Sequence, residues 1–286
     1  MNRYINCIAH SLSDGNLLIG DDVTALFDCG MEFCAEETLH NVRIALADRP
    51  LDLIFITHAH YDHVGALPFF RAEWPNVRLV ASEIGASMLL KATPRKVFHE
   101  LSSIAKKHLG ITSQATYSDD AFHADVLIKD KERIPLGGLS VIALETPGHT
   151  RDSLSYFVPE LDLLISNESS GVLMPDGQVF PCYLTSYSDT MNSIEKCRQT
   201  QYKMLSLPHR GLIDEKDAKV FFEKALEANV ACHRFIMDMK EKGLNEEEML
   251  DAYFSKYGEI LASYQIKAAF MANARATIAC TLRELG

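Results

Sequence analysis

A chain of 286 residues with 47% hydrophobic content can bury one large core, or a core plus an appendage. Its formal net charge of −11 excludes a wide basic face, so no nucleic-acid partner is expected, although a few local cations would suffice for a small anionic substrate. Seven cysteines, odd in number and without Cys-x-x-Cys spacing, argue against a disulfide framework and fit a reducing, cytoplasmic setting. No signal-type leader and no stretch of membrane-spanning length is read, so no membrane partner is expected.

In chain order, the first thirty residues read as short strands near 5–10, 16–19 and 23–28, with turns at 13–15 and at Asp21-Asp22. Residues 36–48 have helical spacing, with Leu39, Val42, Ala45 and Leu46 on one stripe and Ile44 off it. An apolar strand follows over 51–57. A helix is expected at 64–74, stopped by Pro75-Asn76, then a strand at 77–81 and a helix at 82–91 capped by Ser82. The charged segment 94–118 reads as a helical insertion over one face. His99, His108 and His123 in or near it lack partners at ligand spacing and read as surface residues. Strands are expected at 125–129, 132–135, 139–146, 153–158 and 161–166, then a helix at 188–202 and a strand at 204–207. This order suggests a mixed α/β sandwich whose sheets are covered by helices.

From residue 213 the character changes to helix alone, at 217–242, 245–262 and 264–285, the second capped by Asn245 and followed by acids that suit the helix dipole. The stripe of Phe221, Phe222, Phe235, Met237, Met239, Met249, Tyr253, Phe254 and Tyr257 reads as core. Residues 1–212 are therefore taken as one domain and 213–286 as a C-terminal helical extension.

The chemistry concentrates in Thr57-His58-Ala59-His60-Tyr61-Asp62-His63-Val64-Gly65. Imidazoles and a carboxylate this close together have no packing rationale, and they form the donor set of zinc, iron or manganese. Alternation along an extended segment places His58 and His60 on one side, while Asp62 and His63 are expected where Gly65 lets the chain turn. Further donors stand at strand ends beside Pro or Gly: His149 in Thr146-Pro147-Gly148-His149-Thr150, His209 in Pro208-His209-Arg210-Gly211, and Glu168 after 161–166. Singly, each of these is as readily a turn residue or a solvated strand end.

These elements, with Phe27-Asp28-Cys29-Gly30, resemble the metallo-β-lactamase superfamily in order and spacing over about residues 5–212. The resemblance implies an α+β fold, a four-layer αβ/βα sandwich with the site at one edge between two sheets. It implies two divalent metals, with zinc favoured over iron or manganese: His58, His60 and His149 on one, and Asp62, His63 and His209 on the other. Glu168 stands where the family usually has a bridging aspartate, and Asp28 matches an early aspartate that orients ligands. The motifs look most like the glyoxalase II and acyl-thioesterase branches, and the fused C-terminal helices resemble the arrangement in the quinolone-signalling thioesterase-like proteins, where helices cap the site. The resemblance thus implies a catalytic domain at 1–212 and a capping extension at 213–286.

The expected activity is hydrolysis of an ester or thioester carbonyl by a metal-bridging hydroxide, with Asp62 also taking part in proton handling. The expected partners are a small-molecule substrate and a second copy in a homodimer. A phosphodiesterase using Arg151, Lys203 or Arg210, and a regulatory protein that senses a ligand through an inherited metal centre, are the alternatives. A flavodiiron-type redox enzyme is disfavoured because position 60 is histidine rather than glutamate. Cys182 and Tyr183, in the irregular stretch 169–187, either border the site or pack as a loop.

Overall fold

The computed structural model describes residues 3–7, 15–112, 117–261 and 266–284. The end of the strand expected at 5–10, most of the turn at 13–15, and parts of the helices expected at 94–118, 245–262 and 264–285 lie outside the described residues.

The first half of the chain builds a six-stranded sheet in sequence order: β1 (Tyr4–Asn6), β2 (Asn16–Ile19), β3 (Thr24–Phe27), β4 (Leu53–Phe55), β5 (Arg78–Ala81) and β6 (Val126–Leu127). β1, β2 and β3 pair antiparallel through short connections, and β3 to β6 pair parallel. Parallel neighbours require crossovers, which supply helices to one face. These are α1 (Ala35–Leu46), α2 (Tyr61–Val64) with α3 (Leu67–Glu73), and α4 (Glu83–Leu90) with α5 (Ala92–His108).

The second half continues with β7 (Arg133–Pro135), β8 (Ser140–Glu145), β9 (Leu154–Val158), β10 (Leu163–Ile165), a separate hairpin β11 (Val172–Leu173) and β12 (Val179–Phe180), α6 (Tyr187–Gln199), β13 (Met204–Leu207) and β14 (Gly211–Ile213). The second sheet has the order β14-β13-β10-β9-β8-β7, with β10 and β13 parallel across the α6 crossover. Three helices close the chain: α7 (Glu215–Glu241), α8 (Glu246–Leu261) and α9 (Lys267–Arg283).

Side-chain alternation sorts the strands into layers. In β4, Leu53 and Phe55 face the space between the sheets, where they meet Val141, Ala143, Tyr156 and Ile165. Ile54 and Ile56 face the other way, onto Val42, Leu46 and Phe70 from the helices. The second sheet does the same, with Leu164, Leu205 and Leu207 packing against Ile194 of α6 and Phe221, Phe222 and Ala225 of α7. Helix, sheet, sheet, helix is the expected four-layer sandwich, and its helical C-terminal region is present. Ile44, off the apolar stripe of α1, is 67% exposed.

Several local expectations need correction. β14 and the hairpin β11–β12 lie in stretches read as irregular or helical, because strands of two or three residues are too short to show a period. The helix expected from residue 64 is α3, which begins at Leu67, and a separate one-turn helix, α2, lies before it inside the motif, so Asp62 and His63 project from a helical turn. Gly65 does not act through a turn: its φ is −59°, ordinary for any residue. It is required by close approach, since a Cβ there would stand 2.4 Å from the Tyr61 carbonyl and 2.8 Å from Glu32 N. Asn245 caps α8 as expected, and reciprocally: its Oδ1 accepts from Glu248 N, and Glu248 Oε2 accepts from Asn245 N. Among the described residues, no helix is long and apolar enough to cross a membrane.

Between the sheets, the rings of Phe27, Phe55 and Tyr156 pack with centroids 5.0 to 5.3 Å apart. Tyr156 satisfies its buried hydroxyl by donating to the Ile56 carbonyl at 2.5 Å. Phe55→Ala should therefore open a cavity and cost about 3–5 kcal/mol, read as a lowered denaturant midpoint with an unchanged slope.

Candidate metal centre

All the donors are set at the same edge of the sandwich by strand ends. β4 leads through Ile56 into a bend over residues 57–59, in place of the extended run expected there, and His60 is extended (φ −103°, ψ 155°) before α2 turns Asp62 and His63 inward. His149 follows β8 on a turn in which Gly148 has φ +136°, and where any Cβ would strike Thr190 Oγ1 at 2.0 Å. His209 sits between β13 and β14 with φ +60°. Asp28, directly after β3, has φ +56°. Two non-glycine residues in this strained region at one site mark places where the surrounding structure holds the backbone against its preference.

The ligand atoms fall into three trios, each within 4.8 Å of one another: His58, His60 and His149; Asp62, His63 and His209; and His58, His63 and Glu168. His60 Nδ1 lies 2.9 Å from His58 Nε2 and 3.1 Å from His149 Nε2. Glu168 joins the other two trios. Its Oε1 is 2.8 Å from His63 Nε2 and 3.1 Å from His209 Nε2, while Oε2 is 3.5 Å from His58 Nδ1. Asn167 aims it, accepting from Ser169 N and donating to Thr146 Oγ1, each at 2.7 Å.

Asp28 orients donors in both sets. Its Oδ1 accepts from Thr57 N, and its Oδ2 accepts from Thr57 Oγ1 and from His63 Nδ1 at 3.0 Å. Having given its proton to Asp28, the Thr57 hydroxyl can accept from His58 Nδ1 at 3.1 Å. His149 Nδ1 donates to the Cys182 carbonyl at 2.8 Å, which fixes its tautomer because a carbonyl can only accept. Asp152 Oδ2 accepts from Ala59 N, the amide between His58 and His60.

Burial pushes the imidazoles of His58, His60 and His149 below their ordinary range, helped at His58 by His63 and at His149 by His60, which brings His149 to about 4. They are held neutral, as metal ligation requires. Burial also pulls on His63, but Glu168, Asp28 and Asp62 outweigh it and hold this ring well above its usual value. Glu168 is pushed up by burial and held well below the carboxylate range by His63 and His58.

The arrangement fits a metal pair on two observations. His149 Nε2 and His58 Nε2 both present lone pairs to His60 Nδ1, which has at most one proton to give. A cation would satisfy all three rings. Glu168 Oε2 is buried without a hydrogen bond, the kind of orphan a cation removes.

Every residue expected at the site, Asp28, His58, His60, Asp62, His63, His149, Glu168 and His209, is brought to it. His99 is elsewhere, between Asp119 and Tyr117, and His123 donates to the Asp120 carbonyl. Three groups escaped sequence reasoning. Cys182 acts through its peptide carbonyl, which no side chain advertises. Asp152 is an ordinary turn acid until the fold carries it to Ala59. Thr57 stands within the motif, so its hydroxyl could have been suspected.

A cavity of about 250 Å³ opens on the donors His60, Asp62, His149, Glu168 and His209. Its walls come from Val97, Phe98, Leu101 and Ala105 of α5, Val172 and Phe180 of the hairpin, and Ile266, Ala269, Ala272 and Asn273 at α9. Among the described lining residues there is no lysine or arginine. Among the described residues α7 and α8 contribute nothing to this lining, because their apolar faces are spent on the outer layer and on the helical core around Met239, Met249 and Tyr253. Asp28→Asn should weaken metal binding by about 10- to 100-fold, measured by chelator competition, because one of its acceptor oxygens becomes a donor facing donors.

The profile of the Metallo-beta-lactamase superfamily matches residues 16–209. The probable metallo-hydrolase YqgX of Bacillus subtilis (strain 168) is 29% identical over 153 residues, covering 53% of this chain and 63% of that one. A hydroxyacylglutathione hydrolase of Bartonella tribocorum is 28% identical over 119 residues, covering 42% of this chain and 34% of that one. In both, the chain spans less than two thirds of the relative's length. The crystal structure of a metallo-beta-lactamase family protein from Thermus thermophilus matches over 100% of this chain and 95% of that one, with a TM-score of 0.66 at 18% identity, a likeness of fold. Because the profile spans both sheets and every donor from His58 to His209, the chain belongs to the metallo-β-lactamase superfamily.

Proposed function

We propose that the protein is a dinuclear metal-dependent hydrolase of esters or thioesters that carry a small apolar acyl group. The observation that carries this reading is the cavity: buried metal-type donors on one side, and an apolar wall without lysine or arginine on the other. A phosphodiester brings a negative charge into the site, and the cations considered for it do not line the cavity. Lys203, for one, is paired with Asp162 at the surface. The Bartonella relative is named as a hydrolase of hydroxyacylglutathione, an acyl compound, which supports the ester and thioester class.

His58, His60 and His149 would hold one metal and Asp62, His63 and His209 the other, with Glu168 touching both sets; zinc is our first choice, with iron or manganese served by the same donors. Such a pair lowers the pKa of bound water and acts as a Lewis acid. The chain itself supplies the rest. Val97, Phe98, Leu101 and Ile266 bury the acyl group and exclude water, which strengthens every electrostatic interaction inside. Asp28, Asp152 and the Cys182 carbonyl hold the rings at fixed orientations, so no reorganisation is needed during reaction. Asp62 is the carboxylate we assign to proton handling, because it lines the cavity and its Oδ2 stands 3.9 Å from His63 Nε2.

The test is elemental analysis paired with turnover. The expected outcome is two metals per chain and hydrolysis of short acyl thioesters that is lost on chelation and restored by zinc. Along an acyl series, kcat/KM should rise about fourfold per methylene until the cavity is full. Turnover of bis(p-nitrophenyl) phosphate instead would move the assignment to a phosphodiesterase. A metal-loaded protein that turns over neither would be a ligand-sensing protein.

A further inference from the structure

We propose that the last turn of α9 is a positioning clamp for the metal centre, acting on His149 through the segment 182–188. The inference rests on the reading of His149 as a metal ligand and extends it to residues at the far end of the chain. Residues 182–188 grip the His149 turn from two sides. The Cys182 carbonyl accepts from His149 Nδ1 at 2.8 Å, while Leu184 N, Thr185 N and Thr185 Oγ1 all donate to the Gly148 carbonyl at 3.0 to 3.1 Å.

α9 in turn grips 183–188 at three points. Tyr183, fully buried, has its hydroxyl 2.9 Å from Thr281 Oγ1. Thr281 gives its own proton to the Thr277 carbonyl, so the Tyr183 hydroxyl is the donor in this pair, with Cys232 Sγ of α7 as a second and weaker acceptor at 3.8 Å. Arg283 Nη2 donates to the Thr185 carbonyl at 2.7 Å, and the Glu284 carboxylate accepts from Tyr187 N and Ser188 N. These bonds fall within four residues of α9, whereas the residues of this helix that line the cavity are Ala269, Ala272 and Asn273, two turns or more earlier. One helix thus has two separable duties: a wall at its start and a brace at its end. The brace matters because a ligand ring held by a single carbonyl keeps its tautomer and rotamer only if that peptide is itself fixed. Tyr183 lies next to Cys182 and anchors it.

The experiment compares zinc retention against a chelator, and the visible spectrum after cobalt(II) substitution, in the full-length wild type, Thr281→Val, Thr281→Ser, Tyr183→Phe and Ala274→Gly. Thr281→Val keeps the shape but removes the nearer acceptor of Tyr183, leaving only Cys232 Sγ at 3.8 Å. Ala274→Gly loosens α9 in the core it shares with Tyr183 without removing any of these hydrogen bonds. The expected result is on the order of 10-fold weaker retention of one zinc and an altered cobalt spectrum in Thr281→Val and Tyr183→Phe. Thr281→Ser should restore both, and Ala274→Gly should lower the melting temperature while leaving the spectrum unchanged. If Thr281→Val and Tyr183→Phe match wild type, or if Ala274→Gly perturbs the cobalt spectrum as much as they do, the clamp is overturned. A wild type that binds no zinc at all would overturn the metal reading itself, a distinct result visible before any variant is compared.

Discussion

The carboxylate of Asp28 is the constraint from which the rest of the centre follows. It accepts from the Thr57 amide, the Thr57 hydroxyl and the His63 ring. One side chain thereby sets the entry of the motif, the orientation of His63 and, through the Thr57 hydroxyl, that of His58. The next two residues complete the grip, since Cys29 N and Gly30 N both donate to the His63 carbonyl. None of this is available unless β3 and β4 run parallel and in register, with Phe27 opposite Phe55, so that both strands end at the same edge. The left-handed backbone of Asp28 is the local cost, and the ring stack of Phe27, Phe55 and Tyr156 just beneath it supplies the packing that holds it.

Around this polar knot the protein places an apolar shell. His58, His63, His149 and Glu168 are buried, where an unpaired charge would be costly, so the charges there are opposed: Glu168 by His63 and His209, Asp28 by His63. The cavity beyond them is closed by elements that belong to neither sheet. α5 is tied to the motif side by Glu32, which accepts from Ser102 and Lys106 at 2.9 Å, and α9 is tied to the His149 side through residues 183–188. Two helices distant in sequence therefore share a wall while each is anchored next to a different group of donors. An apolar acyl group fits such a wall, which among the described residues offers a phosphate no lysine or arginine.

Much of this was legible in advance because it depends on local pattern. The alternation of Leu53, Ile54, Phe55 and Ile56 announces a strand buried on both faces, and a cluster of three histidines and an aspartate within six residues has no use in packing. Histidines after strands and beside Pro or Gly, at 149 and 209, could be named because strand ends followed by tight turns are where open sites are built. The short strands β11, β12 and β14 could not, since two or three residues carry no period. The helical start at Tyr61 was hidden by the motif, whose polar residues obscure any apolar spacing.

By itself the sequence determined the donor types, the order of most strands and the helical nature of the last quarter, because all three are written in local composition and spacing. Only the tertiary structure decided which groups hold those donors. The Cys182 carbonyl is a backbone atom with no side-chain signal, Asp152 meets Ala59 across 93 positions, and Tyr183 meets Thr281 across 98. It also decided that Glu168 touches donors of both sets, and that α9 reaches the cavity. The physical reason is the same in each case. Hydrogen-bond partners and packed faces are fixed by distances in space, and a linear pattern records which groups are available but not which of them meet.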